Sequence, residues 1–171
     1  MDRVRYALPP KTALIEFRHF QPFDFKTGDL GALHWAAALV YSEGSRDGLV
    51  FHDLDPVLNT QILWKALRFL EKKAEAMRIA SNLCSDPRPA EDTLKLFYKR
   101  KHQEHSSTAK GLSRELYQNL FAKFDGKLKD FDTLYIAPDG FLHQVAFSRL
   151  ILPDGRYWAE RQQIRRVQTG R

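Results

Sequence analysis

The sequence predicts an α/β fold in which a mixed sheet packs against helices. Three observations carry this expectation. Apolar and polar residues alternate over Thr12–Phe20, as in a strand with one buried face. Between Ile62 and Ala80 the apolar residues recur every three or four positions, as on one face of a helix. From Thr133 onward the pattern returns to short apolar runs separated by Pro-Asp-Gly turns. The length of 171 residues fits one domain, residues 1–171, with a core of its own.

Leu8-Pro9-Pro10 is a stiff lead-in to the first strand, where Ala13, Ile15, Phe17 and His19 share a face. Gln21-Pro22 ends that strand and Asp24–Gly31 is a polar loop. Leu33–Tyr41 reads as a buried strand, although its alanines leave a short helix open. Ser42–Gly48 is a turn cluster and Leu49–Leu54 a further strand, so the two form an antiparallel hairpin.

Asp55-Pro56 offers an N-cap followed by a proline at the first helical position. The stripe Ile62, Leu63, Ala66, Leu67, Leu70, Ala74, Met77 and Ala80 then predicts a long helix ending near Cys84. Ser85–Pro89 breaks it. Ala90–Lys101 predicts a second helical piece and His102–Ser107 a polar connector. A third helix over Ser107–Phe124 has Leu112, Leu116, Leu120 and Phe124 on one face and Gly126 as its C-cap. Thr133–Ala137 is an apolar run expected of a central strand covered on both faces, and Gln163–Val167 a closing strand.

Composition narrows the function classes. Apolar residues at 43% and aromatics at 12% belong to a folding chain rather than a disordered one. The formal charge of +6 is spread along the sequence, which makes it weak support for a nucleic-acid partner. Cys84 is the only cysteine, so no internal disulfide can form. The N-terminus lacks the apolar core of a signal peptide, and the run Trp35–Tyr41 falls far short of a membrane span. A cytoplasmic location is expected.

The chemistry-bearing residues form no familiar constellation. His102-Gln103-Glu104-His105 places its histidines three apart, whereas a zinc helix needs four with Glu directly after the first His. No Walker A run or Gly-x-Gly-x-x-Gly is present, and Gly44–Gly48 fits a hairpin turn. Two basic clusters, Lys99–His102 beside Phe97-Tyr98, and Arg161, Arg165, Arg166 and Arg171, could contact phosphates. Arg165 and Arg166 are neighbours on a strand, however, and must face opposite ways. Asp139 and Asp154 sit in turns that favour Asp for backbone reasons, so neither is assigned acid–base work. His143 is expected to pack or hydrogen-bond locally.

Several segments together resemble the CHAT domain family, caspase- and separase-like proteins often found beside TPR repeats. They are Leu8-Pro9-Pro10-Lys11-Thr12-Ala13-Leu14-Ile15-Glu16-Phe17, Leu134–Gly140, Leu142–Phe147 and Leu152–Tyr157 with Glu160. The resemblance implies a caspase/separase-like fold, of which this chain is the N-terminal, pseudo-protease half. The family's catalytic His and Cys motifs are not found before Arg171, and Cys84 lies in Ser81–Ser85 without the strand-end setting of a nucleophile. The implied role is scaffolding or partner binding without catalysis. The expected partners are a catalytic half, TPR repeats or a second copy. The alternative is a basic nucleic-acid-binding module built on Lys99–His102.

Overall fold

The structure is a computed structural model that describes residues 7–41, 48–83 and 89–168. It is an α/β fold with a five-stranded mixed sheet. The strands are β1 (Thr12–Phe20), β2 (His34–Tyr41), β3 (Leu49–Pro56), β4 (Thr133–Ala137) and β5 (Gln163–Arg166). Their order across the sheet is β3-β2-β1-β4-β5. The β1–β2 and β2–β3 pairs are antiparallel, and the β1–β4 and β4–β5 pairs are parallel. A parallel neighbour requires a crossover. Here it is made by the long antiparallel pair α1 (Val57–Leu83) and α2 (Pro89–Phe121).

The core lies on one face of the sheet. Ala13, Ile15 and Phe17 alternate along β1 and are fully buried. Register places Ile15 beside Leu39 and Ile136, and Phe17 beside Ala37, so these inward residues form rows across strands. Trp64, Leu67, Leu116, Tyr117, Leu120 and Phe121 from the helices close over them. Phe17 meets Phe121 edge-on at 5.4 Å, and Phe121 meets Trp158 at 4.4 Å. Such aromatic pairs add ~0.5–1.5 kcal/mol each beyond the area they bury.

Four expectations are corrected. The polar connector between two helical pieces is absent: α2 runs unbroken from Pro89 to Phe121 through His102–Ser107. Polar residues there need no loop, because Glu104 pairs with Lys101 at 2.8 Å and Arg100 at 3.6 Å along the helix surface. Ile62 leaves the core stripe and is 56% exposed. It stands five residues from buried Leu67, about 140° round the helix. Pro56 ends β3 opposite His34, and α1 starts at Val57. A proline is tolerated at an edge-strand end because its missing N–H is not needed there. Gly126 is no C-cap but lies inside a separate short helix, α3 (Asp125–Leu128), after the turn Ala122–Phe124.

The face of β4 opposite the helices also differs from expectation. Leu134 and Ile136 are buried, whereas Thr133 and Tyr135 are only partly so. Among the described residues no helix is long and apolar enough to cross a membrane.

Candidate functional site

The parallel strands β1 and β4 end side by side, where open α/β sheets commonly place their ligands. The turn Pro138-Asp139-Gly140 closes this end and opens a short 3₁₀ turn, Gly140–Gln144. Gly140 has φ +51°, a left-handed conformation that favours glycine, although a Cβ there would meet the Trp35 ring only at an ordinary contact distance of 3.6 Å. Asp139 accepts from the Gly140 N–H at 2.8 Å with one oxygen. Its other oxygen faces His19 Nδ1 at 2.9 Å and the His19 N–H at 3.4 Å. Partial burial opposes ionisation of Asp139. The two backbone N–H groups, with the charges of His19 and Arg18, outweigh it and hold the carboxyl below its ordinary range.

A carboxylate on Nδ1 fixes the imidazole and leaves Nε2 outward, the orientation a general base needs. No hydroxyl or thiol is hydrogen-bonded to His19 among the described residues. The pair therefore acts as a clasp between β1 and the turn. Trp35 stands edge-on to His19 at 5.8 Å and to Phe141 at 5.7 Å, which packs the clasp onto the core.

The second Pro-Asp-Gly turn is structural in the same way. Gly155 takes φ +91°, and the Asp154 carboxylate binds the Arg156 N–H at 3.0 Å and its guanidinium at 2.7 Å. The hairpin leads into the four-residue helix α4 (Trp158–Arg161) and a buried hub. Gln162 donates to the carbonyls of Leu128 and Phe131 at 2.9 and 3.0 Å, and accepts from the Trp158 indole at 2.8 Å. Arg161 donates to Asp125 at 3.0 Å and to the Tyr117 hydroxyl at 2.9 Å. Burial, then the hydrogen bond to Asp125, pushes the Tyr117 hydroxyl well above its ordinary range. Burial works against the charge on Asp125, but Tyr117 and Arg161 overcome it and hold the carboxyl low.

The other residues singled out from the sequence do not converge. Cys84 and Arg171 lie outside the described residues. His143 is exposed, and its carbonyl accepts from Arg166 at 2.7 Å. His102 and His105 lie on α2, and no group of three or more His, Cys, Asp or Glu among the described residues is placed to hold a metal ion. Glu104 pairs with both Arg100 and Lys101 of the Lys99–His102 cluster, at 3.6 and 2.8 Å. Arg161 is turned into the hub, and Arg166 caps the carbonyls of His143 and Val145. Asp139 and Asp154 occupy separate turns and share no site.

One surface remains without a structural explanation. Among the described residues β5 pairs with β4 alone. Gln163 and Val167 donate toward β4, so the alternate residues Ile164 and Arg166 turn their backbone groups to the outer edge. The sheet face opposite the helices carries Leu14, Ala38 and Tyr135 partly exposed, and Leu49 and Phe51 exposed, the last at 62%. Register places Phe51 beside Ala38 and Ala38 beside Glu16 on this face. No protein-family model matches the sequence, and no curated protein is detectably similar to it.

Proposed function

We propose that the chain is a non-catalytic, partner-binding module, equivalent to the N-terminal half of a CHAT-like, caspase- or separase-related peptidase domain. The observation that supports this reading best is the half-open sheet face, with Leu49 and Phe51 exposed on the edge strand β3 and a second edge strand, β5, at the far side of the sheet. A free edge offers backbone hydrogen bonds, and the apolar face offers area to bury, which is the combination a second protein chain can use. The two Pro-Asp-Gly turns fit the reading, because both Asp side chains are engaged in holding the fold, Asp139 against Gly140 and His19 and Asp154 against Arg156. The occupant is a protein that carries the catalytic His and Cys, or TPR repeats joined to it. A second copy of the chain takes the same surface when that partner is missing. We assign the chain to the cytoplasm, where a lone cysteine stays reduced.

Sedimentation of the purified chain over a range of concentrations tests this. Self-association that weakens in Phe51→Glu is expected, and a monomer at every concentration counts against it. Peptide cleavage by the chain that is lost in Cys84→Ala would overturn the non-catalytic assignment. The rival nucleic-acid reading requires binding to single strands that falls steeply with salt and is lost in Lys99→Glu.

A further inference from the structure

We infer that a cavity between the two long helices and the loop after β4 is a binding site for a small zwitterion of the α-amino-acid class. It is independent of the partner surface, which lies on the other face of the sheet. The cavity has a volume of about 190 Å³. That is far more than the ~10–15 Å³ that admits a single water. It exists because α1 and α2 present small side chains to each other at this level, Ala74 and Ala109, both buried. The loop forms its third wall and is pinned there by Ser113, whose hydroxyl accepts from the Ile151 N–H at 3.2 Å.

The walls carry opposite charges from different elements. From α1 come Glu71 and Glu75, and from α2 come His102, Ser106 and Lys110, successive turns of one helix face. Arg149 enters from the loop. Glu75 is held by Arg78 at 2.6 and 2.9 Å, outside this group. Glu71 is held loosely, by Arg68 at 3.3 Å and Arg149 at 3.7 Å. The second distance is longer than the ~2.7–3.2 Å of a good hydrogen bond. His102 lies within electrostatic reach of the Glu75 carboxylate, whereas Lys110 has no ion-pair partner among the described residues. A half-enclosed void therefore lies between the ammonium of Lys110 and the loosely held Glu71 carboxylate.

That arrangement selects against ligands of a single charge. An anion drawn to Lys110 meets Glu71, and a cation drawn to Glu71 meets Lys110 and Arg149. A molecule carrying both charges satisfies both walls. The ligand carboxylate is expected against Lys110, His102 and Ser106, and its ammonium against Glu71. Leu67 and Ile151 then receive an apolar side chain.

The test is an amide NMR titration of the intact chain with each of the standard L-amino acids, followed by the N-acetyl and carboxamide forms of the best binder. Saturable shifts confined to the 102–113 and 149–151 amides are expected. Each single-charge form should bind at least about tenfold more weakly, the worth of one ~1.4 kcal/mol contact. Lys110→Met should abolish the shifts. Ala109→Leu, which fills the void, should do so while the thermal transition stays cooperative. No saturable shift with any amino acid overturns the inference. So does equal binding of the single-charge forms, or binding that survives both variants.

Discussion

His19 Nδ1 lies 2.9 Å from Asp139 Oδ2, although 120 residues separate the two in the chain. The contact joins the last turn of backbone on β1 to the turn after β4, so it reports directly on correct strand pairing. A carboxyl held lower in the fold than in the unfolded chain stabilises above its unfolded pKa, ~3.9 for Asp. That stability is lost as pH falls through the folded value. Asp139→Asn should cost about 1 kcal/mol near neutral pH. It should also flatten the decline in stability on acidification below about pH 4. Urea unfolding across that range is the measurement, and an unchanged slope would show that the clasp is not coupled to folding.

Gln162 is predicted to be one of the most sensitive polar positions. Its amide satisfies two carbonyls and the Trp158 indole inside the core. Gln162→Leu keeps much of the volume but leaves those groups without partners. A loss of about 2–4 kcal/mol is expected, at ~1–3 kcal/mol for each orphaned group after partial relaxation. Denaturant midpoints of the variant and parent decide it.

Arg161 and Asp125 should be energetically coupled. Their side chains are only 15% and 21% exposed, so solvent screens them less than a surface pair. A double-mutant cycle with Arg161→Met and Asp125→Asn should give a coupling of about 1–3 kcal/mol. Because the Tyr117 hydroxyl is held above its ordinary range, it should ionise after the other tyrosines in an ultraviolet titration. The stability linked to it is present below the unfolded value, ~10, and disappears as pH rises through the folded one. Additive single-mutant effects would mean that the pair contributes nothing as a pair.

The continuity of α2 has a direct test at Gln103, which is exposed and lies inside the helix. Proline there removes a helical hydrogen bond and clashes with the preceding turn, costing ~3 kcal/mol. Gln103→Pro should therefore lower both helical circular dichroism and the thermal midpoint. A flexible connector at His102–Ser107 would accept the same change with little effect.

The strands were legible because their cause is local. Period-two alternation marks β1, and Pro and Gly bound β4 and the two hairpins, so Thr12–Phe20 and Thr133–Ala137 emerge with the observed limits. The helical stripe was legible for the same reason, down to Leu67 and Ala74, though not for Ile62. The 102–107 segment misled because its apolar stripe lapses where the helix borders a polar cavity rather than the core. Periodicity registers only apolar neighbours.

By itself, then, the sequence determined β1, β4 and the long helix after β3, and that both Pro-Asp-Gly turns shape the backbone. It did not determine the strand order β3-β2-β1-β4-β5, the clasp between His19 and Asp139, the hub at Gln162 or the charged cavity between α1 and α2. Those depend on which residues distant in the chain are brought together. Only the packing of one whole sheet face against two helices sets that choice.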